Sequence, residues 1–459
     1  MTLEPTSASP SARSQRRASR VPAGRLARWM HLGVMAGGVA AGAAMEGARR
    51  LWAGERPALA DIVRHGANPG QLVAGLARMR GAAMKLGQLL SLEGGEVLPT
   101  ALSEALATLR ADGDRMTTAQ LHATLGREYG RGWQRRFRAF DESPIAAASI
   151  GQVHRAVAAD GRDLVLKIQF PGVAKSIDSD VDNLAALLRL TRVLPADIDL
   201  RGLLTEVKRQ LRRETDYLEE ARSLQRSHDL LSGEPQLHVP RPHGDLTTRR
   251  ILAMDHAPGV PVSMLWSEPH PQAVRDAVGH TLQHLMLREL FEFGFMQSDP
   301  NFGNYLWSET DQRLTLLDFG STIEVSATLA VRYRGLLQAV LGGDRAAIRR
   351  RATDMAGLAP DERDDRAEGL VDLIVLACEP IFATGPSDYG TTDLASRARD
   401  AALALAFERG LVRPPPPEML FVHRKIGGTY LLCAQLGARV DTAALVRQLA
   451  GATPMSTLQ

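Results

Sequence analysis

The stretch MQSDPNFGNYLW (residues 296–307), with LTLLDFG (residues 314–320) shortly after it, gathers three oxygen-bearing side chains: Asp299, Asn304 and Asp318. Asp299 follows a long apolar helical pattern and precedes Pro300. A proline ring disfavours helix for the residue before it, so Asp299 is expected on a loop. Asp318 closes an apolar run that reads as a strand. An Asp, an Asn five positions later and then Asp-Phe-Gly is the spacing of phosphoryl-transfer sites. Such chemistry is mostly positioning and charge neutralisation. A hard Mg²⁺ takes a carboxylate and an amide oxygen while water and phosphate complete its shell. Asp318 and Asn304 fit those roles, and Asp299 would orient an attacking hydroxyl or water.

Candidate partners lie upstream. QVHRAVAADGRDLVLKIQF (residues 152–170) reads as two strands around an Asp160-Gly161 turn. Strand alternation puts Val165, Lys167 and Gln169 on one face and Leu164, Leu166 and Ile168 on the other. A lysine so presented, before a helix bearing acids, is how a phosphate-holding lysine is displayed. The helix pattern includes RRETDYLEEA (residues 212–221). Taken as one helix, it puts Asp216 and Glu220 on a shared face and Glu214 roughly 120° from Glu220. Glu220 is then placed to pair with Lys167 while Glu214 addresses something else. Before Lys167 stands PIAAASIGQVH (residues 144–154), where Ala146, Ala147, Ala148 and Ser149 occupy the position of a phosphate-covering loop. Alanine supplies smallness for close backbone approach without the freedom at positive φ that glycine has, so a stiffer loop is expected. Met254 to Ala257, at the end of a third strand, would contact adenine.

HGDL (residues 243–246) imitates another phosphotransferase loop, but five residues after Asp245 comes Arg250, which cannot ligate Mg²⁺. It is read as a turn, and His154 and His256 as structural.

The chain has 459 residues, 44% hydrophobic and 23% charged, a globular composition. A net charge of +3 carries no overall nucleic-acid signature, and no nucleic-acid partner is expected. The basic excess is local: residues 1–28 hold six arginines against one acid, Glu4. Residues 29–45, WMHLGVMAGGVAAGAAM, carry no formal charge and repeat small residues at four-residue spacing. They read as an Ala/Gly-rich buried helix or as a membrane-associated helix behind a basic flank. Cys378 and Cys433 sit in apolar patterns, which favours inert thiols in a reducing compartment. Strands with one helix, then mostly helices, suggest two lobes and a ligand cleft between them.

The alanine loop, KIQFPGV, ETDYLEEA, SDPNFGN and DFG, in that order, resemble the UbiB/AarF family of atypical protein-kinase-like proteins, over about residues 80–321. MKLGQLLS (residues 84–91) looks like that family's K-x-G-Q motif. The resemblance implies an α+β, two-lobed protein-kinase-like fold with ATP and Mg²⁺ as cofactors. It carries nucleotide binding onto Lys167 and Glu220, catalysis onto Asp299, and metal ligation onto Asn304 and Asp318. It also implies that Lys85, in a helical extension folded over the cleft, meets Glu214 and Asp216 inside the site. The expected organisation is a disordered basic segment (1–28), an apolar helix (29–53), the extension (54–140), a small lobe (141–257) and a helical lobe (258–459). The family serves ubiquinone biosynthesis. The implied activity is therefore an ATPase or small-molecule kinase acting on or near an isoprenoid quinone precursor or other lipid, in contact with a membrane surface and with quinone-biosynthesis enzymes. A non-catalytic, nucleotide-sensing scaffold and a protein-serine kinase are the alternatives. The implied location is cytoplasmic, peripheral to the inner membrane or anchored there through the N-terminus. No C-terminal pair of membrane spans is found, unlike some bacterial members.

Overall fold

The computed structural model describes residues 115–191, 200–267, 270–358, 363–405, 409 and 417–451. The basic segment, the apolar run at 29–53, Lys85 with its motif, and the expected break near Pro195 lie outside the described residues.

The first described helix, α1 (Thr118–Tyr129), starts on a capping box between Thr117 and Gln120, which satisfies two otherwise orphaned N–H groups. A short turn then feeds β1 (Phe137–Phe140). With β2 (Ala146–Ala147), β3 (Gly151–Ala158), β4 (Asp163–Gln169) and β6 (Ile251–Asp255) it forms a five-stranded sheet in the order β1-β3-β4-β6, with β2 added to β3. β1 lies just before residue 141, where the small lobe is expected to start. The β3–β4 hairpin turns at Asp160-Gly161, with Gly161 at φ 99°.

β4 is buried on both sides: Leu164 to Gln169 are all buried, Lys167 and Gln169 included. Leu164, Leu166 and Ile168 join Ile251, Ala253, Leu121, Leu125 and Trp133 in an outer core. Val165, Leu252 and Met254 face inward, into the main core shared with the helices. Those helices are α2 (Val173–Thr191), α3 (Leu200–Glu214) and α4 (Tyr217–Leu231). On α4 the buried stripe Tyr217, Glu220, Leu224, Ser227 and Leu231 keeps helical spacing. Residues 212–221 are not one helix. α3 ends at Glu214, and Asp216 caps α4 by accepting from the Leu218 N–H at 3.2 Å. The helical-face relation expected among Glu214, Asp216 and Glu220 does not hold, because an Asp at that position satisfies free amides better as a cap than within a helix.

The second lobe opens with a four-stranded sheet ordered β5-β10-β9-β7, built from β5 (Leu237–His238), β7 (Val260–Pro261), β9 (Tyr305–Ser308) and β10 (Arg313–Leu316). A separate pair joins β8 (Phe295–Gln297) to β11 (Thr322–Glu324). Around them lie α5 (Met264–Ser267), α6 (Gln272–Arg288), α7 (Ala327–Leu341), α8 (Arg345–Ala356), α9 (Asp364–Ala377), α10 (Leu394–Leu403), α11 (Pro417–Leu436) and α12 (Thr442–Gly451). α6 supplies Val278, Leu282, Leu285 and Met286 to the core, and α11 supplies Val422, Leu432, Cys433 and Leu436. α6 passes into a π turn, Glu289–Phe293, before β8. The result is a two-lobed α+β, kinase-like fold. Among the described residues no helix is long and apolar enough to cross a membrane.

Candidate active site

Lys167 stands on β4 opposite Val153 of β3 and Leu252 of β6, on the inner face of the sheet. Its Nζ lies 2.7 Å from Glu220 Oε1 and 3.0 Å from Asp318 Oδ2. The Tyr217 ring sits beside it, 5.3 Å from Nζ to the ring centre. Lys167 is 7% exposed and Glu220 3%. Burial pushes the Glu220 carboxyl up to about 7 against the pull of the Lys167 ammonium. Burial alone would depress Lys167, but Asp318 and Glu220 together hold its pKa well above the ordinary lysine value. One ammonium therefore ties the small-lobe sheet, helix α4 and the segment after β10.

The alanine loop closes against this site. Ala146 and Ala147 pair with Val153 and Gln152, and the Ala148 N–H donates to the Gly151 carbonyl at 3.0 Å. Among the described residues Gln312 alone of the non-glycines has positive φ, so Ala146, Ala147, Ala148 and Ser149 all keep ordinary backbone. A Cβ at Gly151 would lie 2.3 Å from the Ile168 carbonyl oxygen, so the loop returns to β4 with no room for a side chain. Ser149 Oγ donates to Glu214 Oε2 at 3.1 Å, which gives Glu214 its contact in the alanine loop. Met254 and Ala257, at and just beyond the end of β6, are buried. HGDL is engaged elsewhere: His243 Nε2 lies 2.7 Å from Asp255 Oδ1, and Arg162 grips both oxygens of Asp245. His154 is fully buried in the small lobe, and His256 lies 3.3 Å from Asp163.

Asp299 and Asn304 occupy the loop after β8. Asn301 caps the short turn Phe302–Asn304 by accepting from the Gly303 N–H. Asn304 Nδ2 donates to the Asp299 carbonyl at 3.0 Å, which leaves the Asn304 amide oxygen as its free-facing donor to a cation. Asp318 Oδ1 accepts from the Gly320 N–H at 2.9 Å. One carboxylate and one amide oxygen are a donor set suited to a hard Mg²⁺ that arrives with phosphate.

Sequence reasoning missed what lies behind this loop. Arg424 of α11 places Nη2 2.8 Å from Asp299 Oδ1. Its neighbour Lys425 lies 3.0 Å from Glu289 Oε2 and 3.1 Å from Gln297 Oε1. α11 approaches so closely that a Cβ at Gly428 would lie 2.0 Å from Pro300 Cγ. The available signal was two adjacent cations inside an otherwise apolar helix, FVHRKIGGTYLLC.

Comparison with known proteins shows the family of the chain. The ABC1 atypical kinase-like domain matches residues 108–352. The chain belongs to the ABC1 atypical kinase-like family. It is the family that the motifs resemble. ABC1 relatives include the mitochondrial atypical kinase COQ8B of Rattus norvegicus, 35% identical over 92% of this chain and 80% of the relative. The mitochondrial atypical kinase COQ8 of Saccharomyces cerevisiae is 33% identical over 94% of this chain and 86% of the relative. Among solved structures, the Rv3197–erythromycin complex of Mycobacterium tuberculosis aligns with a TM-score of 0.57 at 24% identity. It covers 83% of this chain and 95% of that one, a likeness of fold.

Proposed function

We propose that this ABC1-family chain is an Mg-ATP-dependent enzyme, an ATPase or small-molecule kinase that supports isoprenoid quinone biosynthesis at a membrane surface. The observation that carries the reading is Lys167, joined at once to Glu220 and Asp318. A lysine held by a buried helix carboxylate beside a metal-ligating Asp is the arrangement that ATP phosphates require. Asn304 and Asp318 would hold the cation, which supplies charge neutralisation on the phosphates. Asp318, which here accepts from Lys167, would help hold that cation, and Lys167 would bind phosphate oxygens. Asp299 orients the attacking hydroxyl or water, and Arg424 holds the Asp299 carboxylate in place. Lys85 and Glu214 complete the set in the family pattern, with Ala146–Ser149 covering the phosphates and Met254 and Ala257 at the adenine.

The quinone assignment draws on the family resemblance and on the COQ8 relatives. The test is phosphate release from Mg-ATP by the full chain, with and without a detergent-solubilised isoprenoid quinone precursor. Release stimulated by the precursor is expected. Nucleotide binding with no release under either condition would favour the scaffold reading. Flotation with anionic vesicles, comparing the full chain with one starting at Glu55, tests attachment through residues 1–53. Each Lys/Arg near such a surface contributes about 1 kcal/mol.

A further inference from the structure

Gln297 ends β8 two residues before Asp299 and is 1% exposed. A buried amide must place two donors and two acceptors. Here Oε1 accepts from the Tyr305 hydroxyl and from Lys425 Nζ, each at 3.1 Å. Nε2 donates to the Asp299 carbonyl at 3.1 Å and to the Asp318 carbonyl at 3.2 Å. An ammonium has no acceptor, so the amide cannot be reversed without facing NH₂ against NH₃⁺. Lys425 is fixed in turn by Glu289, the first residue of the π turn, whose other oxygen accepts from the Gln297 N–H at 3.0 Å. All three side chains are buried. They form a closed ring of Glu289, Gln297 and Lys425, and the ring's one outward-facing edge grips the backbones of the two aspartates.

A buried ion pair is costly to desolvate, and apolar side chains of similar volume would often serve stability equally well. The ring is therefore poorly explained as a source of stability. We propose that Gln297 is a positioning residue that sets Asp299 against Asp318, and that the Lys425–Glu289 pair serves to lock its amide. The inference rests on the phosphoryl-transfer reading of those two aspartates. Where reacting groups must be aligned, a displacement of about 1 Å costs on the order of 10²-fold in rate.

The test uses the full chain and two readouts. In Gln297→Leu, kcat for phosphate release should fall on the order of 10²-fold, with KM for ATP changed less than about threefold. Hydrogen exchange should rise together in residues 298–304 and 318–322 but not in the β3–β4 hairpin. Glu289→Gln/Lys425→Met keeps an acceptor for the Gln297 N–H while removing both charges. This double variant should retain its melting temperature and lose about tenfold in kcat. It also serves if Gln297→Leu fails to fold. Unchanged kcat in these variants, or exchange rising in only one of the two segments, would overturn the proposal. If the parent chain releases no phosphate, the Mg-ATP reading fails, and the exchange result alone still decides whether Gln297 couples the two segments.

Discussion

Arg424 Nη2 and Asp299 Oδ1 lie 2.8 Å apart although 125 positions separate the two residues. Arg424 is 4% exposed, and among the described residues its Nε and Nη1 have no hydrogen-bond partner. The pair is thus a buried charge contact, and it fixes the carboxylate proposed to orient the nucleophile. Arg424→Met should remove a buried charge partner of Asp299 and cost about 3 kcal/mol, the low end for breaking a buried pair. The low end is appropriate because the Asp299 side chain keeps 16% exposure. Urea unfolding measures the stability loss and phosphate release measures the activity, which should fall more than tenfold, roughly the effect of losing one preorganised charge contact. An unchanged urea midpoint would show that the contact contributes nothing to stability.

Asp318→Asn should abolish turnover and weaken Mg²⁺-dependent nucleotide binding. Neutralising a carboxylate proposed as one of few ligands of a hard cation should remove several kcal/mol of stabilisation, roughly the magnitude seen in metal catalysis. Lys167 keeps Glu220 at 2.7 Å, so the variant should fold. Titration of a fluorescent nucleotide with and without Mg²⁺ separates the two effects, since metal-free affinity should change little.

In the loop over the site, glycine is required at one position and alanine suffices at others. Gly151→Ala drives a Cβ against the Ile168 carbonyl, a backbone atom that cannot swing away. It should destabilise by about 1–3 kcal/mol, the usual cost of overpacking. Ala148→Gly, at a residue with ordinary φ, should instead cost at most about 1 kcal/mol through added freedom of the unfolded chain. Thermal melts of the two variants beside the parent give the order. A larger loss for Ala148→Gly would contradict it.

His154 sets a pH dependence. Gln152 Oε1 is occupied by the Met116 N–H, so the Gln152 NH₂ must donate to His154 Nε2, while Nδ1 faces the Asp141 carbonyl. The ring is held neutral, and burial pushes its pKa below the ordinary histidine value. The unfolded chain binds the proton first as pH falls, so this stability is present above about pH 6.5 and is lost below it. Between pH 7 and 5 the parent should lose up to about 1.4 kcal/mol per pH unit more than His154→Gln, which carries no such proton. Parallel urea midpoints for the two proteins across that range would exclude it.

Much of the site was legible because its residues sit in short, ordered motifs. Asp299 before a proline, Asn304 five later, Asp318 closing a strand and Lys167 after a hairpin turn are local patterns, and the elements that carry them appear where periodicity predicts. The reading of residues 212–221 went wrong for a local reason as well. Charge spacing along an assumed single helix ignored that Asp216 makes a better cap than a helix residue, so α3 and α4 break between Glu214 and Tyr217.

By itself the sequence determined which side chains are proposed to carry the chemistry, the alternation that turns Lys167 inward, and the two-lobed kinase-like order of strands and helices. Those properties depend on nearest neighbours along the chain and on the periods of strand and helix. Only the tertiary structure decided what stands behind the aspartates. The contacts of Arg424 with Asp299, and of Lys425 with Gln297 and Glu289, join α11 to a loop more than a hundred residues earlier. No local period encodes such a pairing. It exists because packing Gly428 against Pro300 brings two buried cations within reach of groups that must be satisfied once water is excluded.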